Sequence, residues 1–356
     1  MRADSTAGHA EAVFARQNET SGGQAAATVV TERPPDLGYL ALVARAAERL
    51  GFTGVLTPTG TFCEDAWLTT AALIAETTTL RFLVAFRPGL VSPTLAAQMA
   101  STYQRLSGGR LLLNVVTGGE STEQRRFGDW LDHDQRYART AEFLQVLHGA
   151  WSGEPFDFAG EHYRIEGATT RQPPDPVPPI FFGGSSPPAL RVAAAHVDTY
   201  LTWGEPPAAV AAKLDAVRAL TDRTLTYGIR LHVISRDTAG EAWAAARALL
   251  DRVPAAAVDA ARERFARTES EGQRRMARLA GGDSLEVSPN LWAGFGLVRP
   301  GAGTALVGSH AEVAARIAEY HELGIEHFIL SGQPHLEEAY RFGEGVLPRL
   351  ELGAAA

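Results

Sequence analysis

Residues 80–120 read LRFLVAFRPGLVSPTLAAQMASTYQRLSGGRLLLNVVTGGE and contain the strand–helix–strand unit on which the fold depends. Leu80–Phe86 is predicted as an apolar strand. Ser92-Pro93 marks a helix start, where proline loses no hydrogen bond, and Gly108-Gly109 ends that helix. Leu111–Val116 is an apolar run typical of a strand buried on both faces. Two strands joined through a helix run parallel, so this segment predicts an α/β protein.

Similar units extend outward from this segment in both directions. Predicted strands lie near residues 14, 55, 83, 114, 181, 201, 230 and 329, and each is followed by a helix or an insertion. Eight such units in a chain of 356 residues predict a closed (β/α)8 barrel. An open doubly wound sheet is the alternative, because the first strand, at Val13–Arg16, is weak. We interpret residues 1–356 as a single domain, with residues 1–10 as a flexible tail.

Composition excludes several classes of protein. Lys and Arg number 33 and Asp and Glu number 41, which gives a net charge of −8 and argues against a general nucleic-acid binder. Cys63 is the only cysteine, so an intramolecular disulfide framework and a multi-cysteine metal cluster are excluded. The histidines show no metal-ligand spacing, and we predict no metal site. No apolar run approaches the roughly 20 residues of a membrane helix, and no signal-peptide core is present, so we expect a cytoplasmic protein.

The residues that follow the predicted strands are candidates for chemistry, because barrel active sites lie at the carboxyl ends of the strands. Gly183, Gly184, Ser185 and Ser186 stand between a strand and a helix. Glycines let the backbone approach an anion, and free N–H groups at a helix start attract one, so this segment is a candidate phosphate site. Thr117-Gly118-Gly119 has the same character in a weaker form. Its glycines would let a flat ring or a substrate lie against the backbone. The alternative is an ordinary tight turn for Gly183–Ser186 and a helix-start turn for Thr117-Gly118-Gly119.

One predicted strand carries an arginine and a histidine on the same face. Gly228, Arg230 and His232 alternate along it. If that face is the barrel interior, the two polar side chains are costly unless they bind or react. Arginine offers a planar fork to a sulfonate, phosphate or carboxylate, and histidine moves protons near neutral pH. The alternative places both outside, under a helix.

Three further side chains are candidates. Trp203 ends a strand and either stacks beside an aromatic cofactor or plugs the barrel. Cys63 has no identifiable base to activate it, which favours a small thiol near the site over a nucleophile. Arg299 ends a polar stretch, 255–303, with glycines beyond it that suit the hinges of a lid. A solvated arginine on a surface loop is the alternative.

The chain resembles the bacterial luciferase-like flavin monooxygenases, and among them most closely the FMNH2-dependent alkanesulfonate monooxygenases. The resemblance extends over almost all of residues 36–347. The segments that carry it are GFTGVLTPTGTFCEDAW (51–67), RPGLVSPTLAAQMA (87–100), LSGGRLLLNVVTGGE (106–120), FFGGSSPPA (181–189), VDTYLTWGEPPAAVAAKL (197–214), YGIRLHVI (227–234), EGQRRMA (271–277), SPNLWAGFGLVRPGAGTALVG (288–308) and PHLEEAYRF (334–342).

This resemblance implies a fold and an activity. The fold is a TIM barrel with a luciferase-type insertion near 255–305 that carries a mobile lid. In the family, a separate NAD(P)H-dependent reductase supplies reduced FMN, which activates O2. The C–S bond of an alkanesulfonate is then cleaved to give an aldehyde and sulfite. Homodimers or homotetramers are the family's usual assemblies, and neither nucleic acid nor membrane is implied as a partner.

The resemblance also implies roles for individual residues. Arg230, His232 and Arg299 would form an anion pocket, with Arg299 closing over it from the lid. Trp203 would lie near the flavin and Cys63 near its entrance. The backbone and hydroxyls at Thr117, Gly118, Gly183, Gly184, Ser185 and Ser186 would hold the cofactor, the two serines at its phosphate.

Two segments depart from the family's pattern, both at the mouth of this pocket. The family reads SGYPHLEE after the last strand, with the tyrosine as an active-site donor, whereas this chain has Gln333 there. Glutamine keeps a donor but supplies no acidic proton, so Gln333 is a candidate catalytic residue of altered function. The family's first strand ends in a histidine-containing run, whereas residues 15–23 (ARQNETSGG) contain none. The alternatives are therefore the same flavin chemistry on a sulfone, a halogenated compound or a natural-product intermediate, or a non-catalytic flavin-binding relative.

Overall fold

Thirteen strands and twelve α-helices make up the part of the chain that the computed structural model describes, namely residues 11–15, 33–61 and 63–350. The strands are β1 (Glu11–Ala15), β2 (Gly54–Thr57), β3 (Arg81–Phe86), β4 (Leu111–Val115), β5 (Phe156–Ala159), β6 (Arg164–Ala168), β7 (Ile180–Gly183), β8 (Thr199–Trp203), β9 (Thr226–Arg236), β10 (Glu286–Ser288), β11 (Leu291–Trp292), β12 (Ala305–Ser309) and β13 (His327–Ser331). The helices are α1 (Leu37–Arg49), α2 (Ala66–Leu73), α3 (Pro93–Ser107), α4 (Ser121–Arg126), α5 (His133–Ala150), α6 (Pro187–His196), α7 (Pro207–Arg218), α8 (Ala239–Leu250), α9 (Ala255–Ala266), α10 (Glu271–Ala280), α11 (His310–Glu322) and α12 (His335–Gly345).

Eight parallel strands close into a barrel in the order β1, β2, β3, β4, β7, β8, β9 and β13, and β13 pairs with β1 again. These are the eight strands that the sequence predicts, so the (β/α)8 barrel is confirmed and the open sheet is excluded. The weak first strand is present, begins two residues earlier and ends one residue earlier than predicted, and pairs with both neighbours. The predicted tail at 1–10 and most of the unusual 15–23 segment lie outside the described residues.

Three of the predicted helices begin at capping residues that the sequence signals. The side chains of Asp36, Asp65 and Ser92 each accept a hydrogen bond from the backbone N–H three residues on. These caps satisfy donors that the first helical turn leaves open. Gly108 ends α3 in the left-handed conformation, with a φ of 66° that favours glycine.

Apolar side chains alternate between the two sides of the barrel wall. On β3, Phe82 and Val84 belong to the large core between the strands and the helices, whereas Leu83 points into the barrel. The interior cluster is small and consists of Leu56, Leu83, Leu112, Phe181, Leu201 and Ile329. On β9, Ile229 and Leu231 belong to the outer core, which places Arg230 on the inner face. The alternative with Arg230 under a helix is thereby excluded.

The long strand β9 pairs with one more strand than the sequence predicts. Its first half pairs with β8 and β13, and its second half pairs with β12, a parallel strand that the sequence analysis did not predict. Because Ala305 is opposite His232, the segment that precedes β12 is brought to the top of the barrel. The chain between β9 and β12 contains α8, α9, α10 and the short antiparallel pair of β10 and β11.

Within the ranges that the structure describes, no helix combines the length and the apolar character needed to span a bilayer.

Candidate active site

A cavity of about 510 Å³ opens at the carboxyl ends of the barrel strands. Its walls come from the segments that follow β2, β3, β4, β7, β8 and β9, and its cover comes from residues 264–273 and 299–301. Ten of the twelve predicted site residues line it: Cys63, Thr117, Gly118, Gly183, Gly184, Ser185, Ser186, Trp203, Arg230 and Arg299. His232 and Gln333 are not among the lining residues of the described chain.

Two arginines face this cavity with hydrogen-bonding groups unused. Arg230 Nε and Nη2 and Arg299 Nη1 are buried and have no partner among the described residues. Burial lowers the pKa of Arg230 to about 10. Burial, together with the positive charge of Arg230, lowers the pKa of Arg299 to about 9. Two buried cations without partners are costly, and an anion held between their guanidinium forks would relieve that cost.

Tight backbone turns set Arg299 over the cavity. Its N–H donates to the Phe295 carbonyl at 2.9 Å, and the Gly301 N–H donates to Gln273 Oε1 of α10 at 2.9 Å. Gly301 has a φ of +92°, and a Cβ at Gly303 would lie 2.7 Å from the Gly296 Cα. Both glycines are therefore required by the turn, and their use as hinges stays a prediction.

The segment Gly183–Ser186 joins β7 to α6 as a narrow backbone cradle. A Cβ at Gly184 would lie 2.5 Å from the Ala189 Cβ and 3.2 Å from the Tyr137 hydroxyl, so only glycine fits. The Tyr200 hydroxyl donates to the Gly184 carbonyl at 2.7 Å. Ser186 is the residue at the start of α6, where backbone N–H groups are directed outward. This arrangement suits a phosphate group.

Tyr137 is a cavity residue that the sequence analysis missed. It projects from α5 towards Ser186, and burial raises the pKa of its hydroxyl, which stays a neutral donor. No local motif marks it, because it is brought to the cradle only by the packing of α5 against the barrel.

Thr117-Gly118-Gly119 is both a lining segment and a helix-start turn. Gly118 has a φ of +89°, and a Cβ there would collide with Gln124 Nε2 at 1.4 Å. That amide donates to the Thr117 carbonyl at 3.1 Å and so fixes α4 against the end of β4. The helix-start turn is confirmed, and contact of this segment with a cofactor or a substrate stays a prediction.

Cys63 and Trp203 both line the cavity, and each is held by a helix of the surrounding insertions. The Cys63 segment is held by Glu123 of α4, which accepts from the Thr61 N–H at 2.9 Å and from Arg87 Nη2 at 2.5 Å. Trp203 packs near α10, since a Cβ at Gly272 would lie 3.0 Å from its ring.

Arg87 is a third arginine of the cavity wall, and the sequence analysis gave it no role. It is 6% exposed, and its Nε and Nη1 have no partner among the described residues. Its ion pair with Glu123 leaves one side of the guanidinium group directed away from that carboxylate.

His232 is buried beside the cavity and does not line it. Its Nε2 lies 3.0 Å from the Ala302 carbonyl oxygen, and its Nδ1 lies 2.9 Å from Ser331 Oγ. Gln333 is half-buried between β13 and α12. The described residues contain no cluster of three potential metal ligands.

Comparison with known proteins gives a family match and several fold matches. A model of the family described as luciferase-like monooxygenase matches residues 12–327. A solved riboflavin lyase with modified FMN and riboflavin is 22% identical, with a TM-score of 0.82 over 98% of this chain and 93% of that chain. A long-chain alkane monooxygenase is 19% identical, with a TM-score of 0.78 over 97% and 91% of the two chains. An EDTA monooxygenase from Chelativorans sp. BNC1 is 17% identical, with a TM-score of 0.71 over 98% and 95%. At these identities the similarity shows only that this chain shares the fold of the three structures. The names of the three proteins point to different substrates.

Proposed function

Because the chain belongs to the luciferase-like monooxygenase family, we propose that it is a two-component, FMNH2-dependent monooxygenase. The proposed substrate is an alkanesulfonate or a related small anion. One observation carries the proposal: Arg230 and Arg299 are buried at one cavity with N–H groups that no described residue satisfies. A sulfonate has the charge and the three acceptor oxygens to satisfy them, and two of those oxygens can accept from one planar guanidinium fork.

The residues of the cavity fit a flavin mononucleotide. Gly183 and Gly184 let a ligand approach the backbone, and Ser185, Ser186 and the Tyr137 hydroxyl supply donors for its phosphate at the start of α6. Trp203 offers an aromatic face at the rim for a ring system. When bound, reduced FMN would supply the two electrons that activate O2 for insertion of one oxygen atom.

The chain's own residues would bind the substrate and exclude water. Arg299 comes from above the cavity and Arg230 from its wall, so a bound anion would join the lid segment to the barrel. Closure removes bulk water, which strengthens the charge interactions and protects reactive species. The balanced reaction converts alkanesulfonate, O2 and FMNH2 into aldehyde, sulfite, FMN, water and a proton.

We also propose a partner protein and an oligomeric state, both on the basis of the family resemblance. A separate NAD(P)H-dependent reductase would supply FMNH2, and a homodimer or homotetramer is the proposed assembly. Both are checked by reconstitution with a flavin reductase and by light scattering of the purified protein.

The first experiment is sulfite release from short and long alkanesulfonates with FMN, NADH and a flavin reductase. The same samples are analysed by mass spectrometry for oxygenated products. We expect sulfite above the no-enzyme control, and less sulfite from Arg299→Met at substrate concentrations below the raised KM. Reduced FMN bound without sulfite from any sulfonate would refute the proposed substrate class, and flavin binding without any product would favour a non-catalytic relative.

A second candidate keeps the flavin and changes the substrate to a sulfone, a halogenated compound or a natural-product intermediate. It is favoured by Gln333, which replaces the tyrosine of the alkanesulfonate enzymes. The variant Gln333→Tyr separates the two. If sulfonates are the substrates, sulfite release should change little, whereas sulfonate activity that appears only in the variant would favour the second candidate.

A further inference from the structure

His232 is enclosed by the segment that carries Arg299. Its ring packs against the Phe295 ring at a centroid distance of 4.3 Å, and its backbone N–H donates to the Thr304 carbonyl at 2.9 Å. The imidazole Nε2 lies 3.0 Å from the Ala302 carbonyl. Residues on both sides of Arg299 therefore contact this one histidine.

The partners fix which nitrogen carries the proton. A carbonyl oxygen only accepts, so His232 Nε2 donates to Ala302. Nδ1 is then the unprotonated nitrogen and accepts from the Ser331 hydroxyl at 2.9 Å. Both ring nitrogens are used, and neither is directed at the cavity.

The surroundings of His232 keep its ring neutral. The side chain is 1% exposed, and burial lowers the pKa well below its ordinary value. The charged groups that face it are Arg299 and Arg230, which lower the pKa further, and His335 acts in the same direction. A neutral, doubly bonded imidazole outside the cavity is poorly placed to exchange a proton with a substrate.

We propose that His232 is a positioning residue, whose Nε2–H bond to Ala302 and contact with Phe295 hold the segment 295–304 closed with Arg299 over the cavity. His232 would therefore affect the reaction only through the position of Arg299. The expected effect on turnover rests on the proposed function, whereas the contact itself is tested without turnover.

The variant pair His232→Gln and His232→Asn tests this role. Glutamine places an N–H near the position of Nε2 and cannot titrate, whereas asparagine is one methylene shorter. His148→Gln is the control, because partial burial lowers the pKa of His148 too, but its side chain lies on the exposed side of α5 and outside the cavity.

Two measurements on the full chain need no substrate. Imidazole ¹⁵N shifts should show the Nε2–H tautomer of His232 across about pH 6 to 9. Hydrogen–deuterium exchange of residues 295–304 should accelerate by about tenfold or more in His232→Asn, remain near wild type in His232→Gln, and be unchanged in His148→Gln.

Kinetics with 1-octanesulfonate then distinguish a positioning role of His232 from a role in proton transfer. We expect His232→Gln to retain most of the wild-type kcat with the same pH profile, and His232→Asn to raise KM about tenfold with a smaller loss in kcat. Loss of kcat in both variants with a vanished pH limb and unchanged exchange would overturn the proposal. An Nδ1–H tautomer, or unchanged exchange in His232→Asn, would overturn it even if no sulfonate is turned over.

Discussion

Arg299 of the segment before β12 and Arg230 of β9 bring two positive charges to one cavity, and the charge of Arg230 adds to burial in lowering the pKa of Arg299 to about 9. Two uncompensated positive charges at one buried site are destabilising, and the rest of the fold must offset that cost. Removing one charge should therefore have opposite effects on substrate affinity and on stability.

The first prediction concerns Arg299→Met. We expect the KM for 1-octanesulfonate to rise about 10- to 100-fold, because a charge-assisted fork is lost. The free energy of unfolding in urea, without ligand, should stay the same or rise, since one unpaired buried cation is removed. Arg262→Met, an exposed change on α9, should alter neither quantity. A variant that is less stable but keeps its KM would contradict the anion-binding role.

The second prediction concerns the phosphate cradle. Tyr137→Phe and Ser186→Ala should each weaken FMN binding by about 5- to 10-fold, because a hydrogen-bond donor to a charged group is lost. Riboflavin, which lacks the phosphate, should bind these variants and the wild type about equally. Flavin fluorescence titration measures both ligands, and equal weakening of FMN and riboflavin would place the phosphate elsewhere. Tyr340→Phe on α12, which is outside the cavity, is the control.

The third prediction compares two glycines with positive φ. Gly118→Ala forces a Cβ onto Gln124, whereas Gly128, with a φ of +79°, has open space around a Cβ. We expect Gly128→Ala to cost about 1 kcal/mol of unfolding free energy for its backbone conformation alone. Gly118→Ala should cost at least about 2 kcal/mol more and weaken FMN binding, because α4 must move. Equal losses of unfolding free energy in the two variants, measured in urea, would show that the Gln124 side chain can move aside at no cost.

The strands and the closure of the barrel could be predicted because apolar runs, caps and glycine ends are local signals. β12 was missed because ALVGS is short, follows a glycine-rich turn and has a parallel partner only because β9 is unusually long. The sequence left open whether Arg230 faces inward, since both faces of β9 carry apolar residues. Its orientation depends on the register with neighbouring strands, which alternation alone does not give.

The candidate site was predicted where residues follow strand ends and was missed where it depends on distant pairs. Arg87 and Glu123 are 36 residues apart, and their contact depends on how α4 docks. His232 was assigned to the anion pocket on the resemblance. The pairing of β12 with β9 instead directs its ring to Ala302 and Ser331.

The fourth prediction is a pH dependence away from the cavity. Burial acts to raise the pKa of Glu48, but the N–H groups of Thr79, Leu80 and Thr78 outweigh it and lower the pKa from 4.5 to about 2. The unfolded chain binds this proton more readily, so the stabilisation is present above the unfolded value and is lost as pH falls towards 2.

Glu48→Gln should therefore reduce the free energy of unfolding by about 1 kcal/mol at neutral pH, a modest value because the carboxylate is partly exposed. The difference from wild type should shrink as the pH is lowered through about 4. Urea titrations at several pH values measure it, and activity should be unaffected. A difference that is constant with pH would show that the charge of Glu48 is not what stabilises the segment.

The last prediction is that substitutions of Arg87 and Glu123, the two partners of one ion pair, do not change the KM in the same direction. Arg87 directs Nε and Nη1 away from Glu123, and both residues line the cavity. Arg87→Gln removes a positive charge and should raise the KM for 1-octanesulfonate by about tenfold. Glu123→Gln leaves Arg87 uncompensated and still offers an oxygen to the Thr61 N–H, so its KM should stay equal or fall. If Arg87 served only to anchor the Gly60–Thr61 segment through Glu123, the two variants would instead raise KM together.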